Sequence, residues 1–232
     1  AVSALTAWLG IAAAAGVAVP ARAEDTVTGT RSSALVERSH HLEIAVDRGH
    51  ARLVVRRTLY NGGAEHDQAL VSVSLPDTAV AVGLRTLGTR AGRPHWFAGD
   101  LLEAAEAASR YRELTGIGGA EPKDPALLSW RELGELRLQV FPCAPQAQKT
   151  IEYTLLMPTH YEAGRHLLRL PRLGTERLPA TATVHAARVA DRLLLDGRPL
   201  VKGARVELDT PRTVELIPSA PPPVEGALAL AE

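Results

Sequence analysis

From Ser39 to Leu87 the chain alternates apolar and polar residues with period two, and turn residues cut the alternation into short pieces. The pieces "HHLEIAVD", "ARLVVRRTLY", "QALVSVSLP" and "VAVGLRTLG" are rich in Val and Leu. Side chains of an extended strand point to opposite faces in turn, so this pattern fills one face of a sheet and forms no helical stripe. Gly49, Asn61-Gly62-Gly63 and Pro76-Asp77 supply turn chemistry, because Gly and Asn tolerate positive φ and Pro starts a type I turn. Four consecutive antiparallel strands are predicted. "PALLSW", "ELRLQVF", "KTIEYTLLMP" and "RHLLRLP" resume the pattern up to Pro171. A further set, "TATVHAAR", "RLLLDGRPLV", "ARVELD" and "RTVELIP", turns at Asp196-Gly197.

One segment interrupts this, "DLLEAAEAASRYRELTGIGG" at residues 100–119. Asp100 and Glu103 stand three apart as a capping box, which satisfies free amides at a helix start. Leu101, Ala105, Ala108, Tyr111 and Leu114 recur at spacings of three and four, and Gly116 suits a left-handed stop. The stripe is mostly alanine, so the helix lies close to a sheet but buries little area, as a lid does. The expected fold is mainly β: an antiparallel β-sandwich with one short helix packed on a sheet, plus a small C-terminal antiparallel β unit.

Residues 1–23 are apolar, break at Pro20 and end in Ala21-Arg22-Ala23, the small-residue pattern that signal peptidase accepts. A secretory signal cut between Ala23 and Glu24 is expected, with the periplasm, cell envelope or extracellular space as destination. A retained membrane anchor is the rival reading. The expected division is a linker at 24–36, the sandwich at 37–171, the small β unit at 175–217 and a Pro/Ala-rich tail at 218–232.

Basic and acidic side chains balance and no basic block occurs, which argues against nucleic acid or an anionic membrane as partner. Cys143 is the only cysteine, so no intrachain disulfide can form; flanked by prolines after an apolar strand, it reads as a small buried hydrophobe. Nucleophile elbow, P-loop and zinc-binding motifs are missing. The histidines, including His40-His41, His66, His160 and His166, match no ligand spacing and read as surface residues. Glu103 and Glu106 read as charge at the helix's positive end, and Trp96, Phe97 and Trp130 as packing around the helix. No catalytic, metal-binding or cofactor-binding residue is assigned.

Over residues 37–171 the chain carries an ordered series: "RRTLYNGG", "VSVSLPDTAVAVGLR", the "DLLEAAEAASRYREL" helix, "DPALLSW" and "LRLQVFPCAPQAQKTIEYTLLMP". In that order and spacing it resembles the VIT (vault protein inter-alpha-trypsin) domain family, although "TGIGGAEPK" makes a longer link than the family usually has. The resemblance implies a non-enzymatic β-sandwich module for protein interaction or scaffolding. It implies a protein partner, with a von Willebrand factor A domain in the same or another chain as the candidate. It implies no small-molecule cofactor. The adhesion motif D-x-S-x-S of such A domains is not in place: Ser72 and Ser74 are present, but Leu70 stands where Asp is required. The alternative function is a hydrolase or transferase with its site near the helix and loop at 100–121.

Overall fold

The two longest alternating runs fold as β2 (Leu35–Val46) and β3 (His50–Asn61), paired antiparallel from Val46 opposite Ala51 to Leu35 opposite Asn61. The structure, a computed structural model, describes residues 25–76, 78–99, 104–114, 126–132 and 134–219. Ahead of this hairpin lies β1 (Thr26–Gly29), and after it come β4 (Asp67–Ser74), β5 (Val80–Arg90) and β6 (Arg93–Ala98). The helix α1 (Ala104–Leu114) is followed by β7 (Ala126–Glu132), β8 (Glu135–Cys143) and β9 (Ala147–Pro158). Then come β10 (His160–Glu162), β11 (Arg165–Leu170), β12 (Gly174–Thr175), β13 (Leu178–Pro179) and β14 (Thr181–Ala186). The last strands are β15 (Arg192–Leu195), β16 (Arg198–Pro199), β17 (Arg205–Glu207) and β18 (Arg212–Ile217).

A seven-stranded sheet runs β17-β14-β2-β3-β9-β5-β6. A four-stranded sheet runs β1-β4-β8-β7, a five-stranded sheet runs β10-β11-β18-β15-β16, and β12 pairs with β13. Their inner faces meet in one core: Leu42, Ile44, Leu53, Val55 and Leu155 from the large sheet, Val71 and Leu138 from the second, Leu168 and Val214 from the third. Each such aliphatic side chain contributes roughly 1.5–3 kcal/mol by leaving water. The fold is mainly β, as the alternation predicts.

The helix lies on the four-stranded sheet. Tyr111 is buried, and Gln68 Nε2 donates to its hydroxyl at 3.0 Å. Gln68 precedes inward-facing Ala69 in β4, so α1 covers the sheet's outer face. Asp100, Glu103, Gly116 and the loop to 121 lie outside the described residues, as do residues 1–24.

Four expectations are corrected. The strands from 39 to 87 do not pair consecutively: β4 leaves for the four-stranded sheet, and β9 takes its place between β3 and β5. The expected linker at 24–36 contains β1, which pairs with β4; at four residues it is too short to display alternation. β6 is a strand where the sequence reading saw only the approach to the helix. The segment 175–217 is not a unit of its own. β14 joins β2 in parallel, from Thr181 opposite His41 to Ala186 opposite Val46, and β18 pairs with β11. The apolar faces of these strands complete a core that the earlier strands leave open.

The chain returns to the large sheet through a tight turn at Gly174, whose φ is +91°. A Cβ there would stand 2.5 Å from the Leu178 carbonyl oxygen and 2.9 Å from the Pro179 carbonyl carbon, and would also strike the Ala180 nitrogen. Backbone strain and overlap add at this position. Gly174→Ala is expected to cost at least ~2 kcal/mol in urea unfolding.

Candidate functional site

Alternation along β3 places Arg57 on the same inward face as Val55 and Leu59, with no exposed surface. A guanidinium there survives only if its charge and donors are met. Glu37 meets it from β2 in a two-pronged bond, Nε to Oε1 at 2.6 Å and Nη2 to Oε2 at 2.9 Å. The register shift between Glu37 and Ser39 interrupts regular pairing beside this bond. Asp25 meets Arg57 from the N-terminal side, Oδ2 lying 3.0 Å from Nη1. His40 completes the group, its Nδ1 3.6 Å from Asp25 Oδ2 and 3.9 Å from Glu37 Oε1.

Burial is the first influence on Asp25, His40, Arg57 and the neighbouring Tyr153. It pushes the Asp25 carboxyl above its ordinary value, against the pull of Arg57. It drives His40 well below the usual imidazole value, and the Arg57 charge adds to this. Tyr153, on the same inward face of β9, is pushed up to about 12 by burial. For Arg57 burial works against the charge, but Asp25, Tyr153 and Glu37 together hold the guanidinium protonated. Both Asp25 oxygens and both His40 ring nitrogens are closed off and make no hydrogen bond. The cluster has the chemistry of a site, yet it is sealed from solvent. His40 therefore departs from the expected surface placement, whereas His41 points outward, its Nδ1 3.0 Å from Thr181 Oγ1 across the parallel pairing with β14.

Three other carboxylates bind strands together. Asp67 accepts from the amides of Thr30, Arg31, Ser32 and Gln68; burial raises it, but these bonds hold it below the usual range. Glu152, on the outer face of β9, accepts from Arg56 at 2.9 Å and Arg85 at 2.5 Å, and both guanidinium groups lie over the Trp96 ring. Asp191 accepts from Arg48 Nη2 at 2.9 Å and from the Ser219 amide at 2.9 Å. The bond from Arg48, then those from Ser219, outweigh burial and bring Asp191 to about 2.

An open depression of about 430 Å³ lies between Pro76, Met157, Pro158, His160, Leu167 and Arg169. Its mouth is too wide to exclude water from a bound reactant. Among the described residues no group of three or more His, Cys, Asp or Glu is arranged to hold a metal. Cys143 is a buried thiol in the core, in no disulfide, and its Sγ donates to the Val140 carbonyl oxygen at 3.7 Å. Among the described residues no helix is long and apolar enough to cross a membrane. The Ala23–Glu24 junction and the loop to 121 fall outside the description. The sequence reading missed the Arg57 cluster, although an arginine at an inward position of "ARLVVRRTLY" was its visible signal.

Removing Arg57 leaves two buried carboxylates facing each other. Arg57→Ala is expected to lose about 3–5 kcal/mol in denaturant unfolding, and Arg57→Met clearly less, because Met fills the space. The Asp191 carboxylate is ionised further into acid when folded than when unfolded. Its contribution is complete above the unfolded value of 3.8 and is lost as pH falls through about 2. Asp191→Asn should therefore cost about 1–3 kcal/mol at neutral pH, with the gap to wild type closing between these values in a pH series of unfolding curves.

No protein-family model matches the chain, and no curated protein does. Among solved structures, a candidate nutrient binding protein from Legionella pneumophila subsp. pneumophila str. Philadelphia 1 aligns with a TM-score of 0.41 and 7% identity. That alignment covers 84% of this chain and 70% of the other. A two-domain M1 zinc metallopeptidase, an E323A mutant bound to L-tryptophan, aligns with a TM-score of 0.41 and 13% identity, over 82% of this chain and 44% of the other. Likeness at this level carries no argument about what the chain does.

Proposed function

We propose that the chain is an exported, non-enzymatic protein-interaction or scaffold module of the VIT type, acting at the cell envelope or outside the cell through a protein partner. The observation that carries the reading is a pair of large aromatic side chains left partly in water, one on β6 and one on β7. Phe97 is 41% exposed on β6 and Trp130 40% on β7; β6 pairs with β5, β5 approaches β7, and β7 contacts the helix. Large aromatic side chains left in water are strong anchors when a partner covers them. The buried charges support the same reading, since Asp67, Glu152 and Asp191 are each bonded to another part of the chain and none stands free in a cleft. A von Willebrand factor A domain, in this or another chain, is the proposed partner.

The test uses the full-length chain expressed with its own N-terminus. N-terminal sequencing of the recovered protein should begin at Glu24, and capture from envelope and medium should retain a partner carrying an A domain. Phe97→Asp and Trp130→Asp should each lower that capture at least tenfold at an unchanged unfolding midpoint. Cytoplasmic recovery with residues 1–23 intact defeats the export reading, and undiminished capture by both variants defeats the surface.

A further inference from the structure

The open depression lies where three parts of the fold meet. Met157 and Pro158 close β9, His160 opens β10, Leu167 and Arg169 belong to β11, and Pro76 begins the turn from β4 to β5. Both bordering turns are held by backbone bonds. The Thr159 amide donates to the Gly49 carbonyl at 3.0 Å, and the Ala79 amide to the Pro76 carbonyl at 2.9 Å. The walls are therefore set before any ligand arrives. The volume, about 430 Å³, falls within the roughly 300–1,000 Å³ of small-molecule sites.

The lining divides by chemistry. Pro76, Met157, Pro158 and Leu167 are apolar, whereas His160 and Arg169 carry nitrogen donors. Period two puts Leu167 and Arg169 on one face of β11, and the register sets His160 opposite Leu167, so apolar and basic groups share one surface. Arg169 is exposed and, among the described residues, is joined to no carboxylate. Glu215, opposite Leu167 on β18, is taken by Arg165 instead, Nη1 to Oε2 at 2.6 Å. The described lining residues include no Asp or Glu. A guanidinium with its donors unspent thus stands beside an apolar hollow.

We propose that this depression binds a small monocarboxylic acid with an apolar body, the carboxylate on Arg169 and the body against Leu167, Met157 and Pro158. The planar guanidinium takes a carboxylate through two parallel bonds, and the apolar lining holds the body by removing it from water. The wide mouth suits reversible capture, since the acid's head keeps part of its hydration while its tail loses water. A cation of the same shape meets the like charge of Arg169 and gains only the tail's contact. None of these residues belongs to the Phe97 and Trp130 surface, so the site stands or falls independently of the protein-partner reading.

Met157 is the single methionine of the sequence, so a carbon-labelled methionine methyl gives one NMR signal from the lining itself. Octanoate, octylammonium and acetate are titrated into the labelled full chain. Octanoate should shift the Met157 methyl signal saturably, with a Kd in the millimolar range that about ten non-hydrogen atoms reach in an open site. Octylammonium has the same tail and the opposite charge, and acetate has the charge without the tail. Each should bind at least about threefold more weakly than octanoate. Arg169→Gln, at an exposed position, should weaken octanoate by about three- to tenfold at an unchanged unfolding midpoint, and should not weaken octylammonium. No Met157 shift with octanoate up to about 10 mM, equal affinity for octylammonium, or unchanged octanoate affinity in Arg169→Gln overturns the proposal.

Discussion

A guanidinium on the inward face of a central strand is the constraint around which the rest of this fold is arranged. Arg57 cannot reach water, so the chain must bring carboxylates to it. Glu37 comes from the adjacent strand, beside a break in regular register. Asp25 comes from the segment ahead of β1, which must therefore lie against the body. Asp67 fixes the same segment a few residues on by taking the amides of Thr30, Arg31 and Ser32. Two charged contacts thus turn what reads as a polar lead-in into part of the sandwich. A hydrophobic residue at position 57 would ask for none of this.

Much of the fold class was legible in the sequence. The alternation in "HHLEIAVD" and "ARLVVRRTLY" marks β2 and β3, and the turn residues at Gly49 join them as read. The helix appears where the alanine-rich stripe placed it, with Tyr111 directed at the sheet. Asp196-Gly197 does turn between short strands, with both residues at positive φ. These features are local, and local spacing carries them.

What was not legible is which strand lies beside which. Period two says that a strand has an apolar face and is silent about its neighbour, so β4 and β9 could not be ordered from pattern alone. The same limit hid the parallel pairing of β14 with β2, since an alternating hexapeptide reads alike in either direction. The cluster at Arg57 was hidden for a related reason. Asp25, Glu37, His40 and Arg57 meet only through the bending of separate strands, and in sequence they are ordinary surface residue types. His40 and His41 illustrate both sides: alternation correctly put them on opposite faces, but it could not say that the inner face held a charged neighbour.

The placement of β14 and β18 has a kinetic meaning. The seven-stranded sheet contains strands from both halves of the chain: β2 waits for β14, about 140 residues later. Contacts so distant in sequence must overcome loop-closure entropy before they return any stability, and such topologies fold slowly. A chain emerging from its N-terminus therefore holds β2 as an open edge until the residues of β14 have appeared. Over that interval the apolar faces of "HHLEIAVD" and "ARLVVRRTLY" have no cover of their own. The protein is thus one whose first half depends on its last strands to become soluble, and truncation near residue 175 would yield an aggregating fragment rather than a smaller domain.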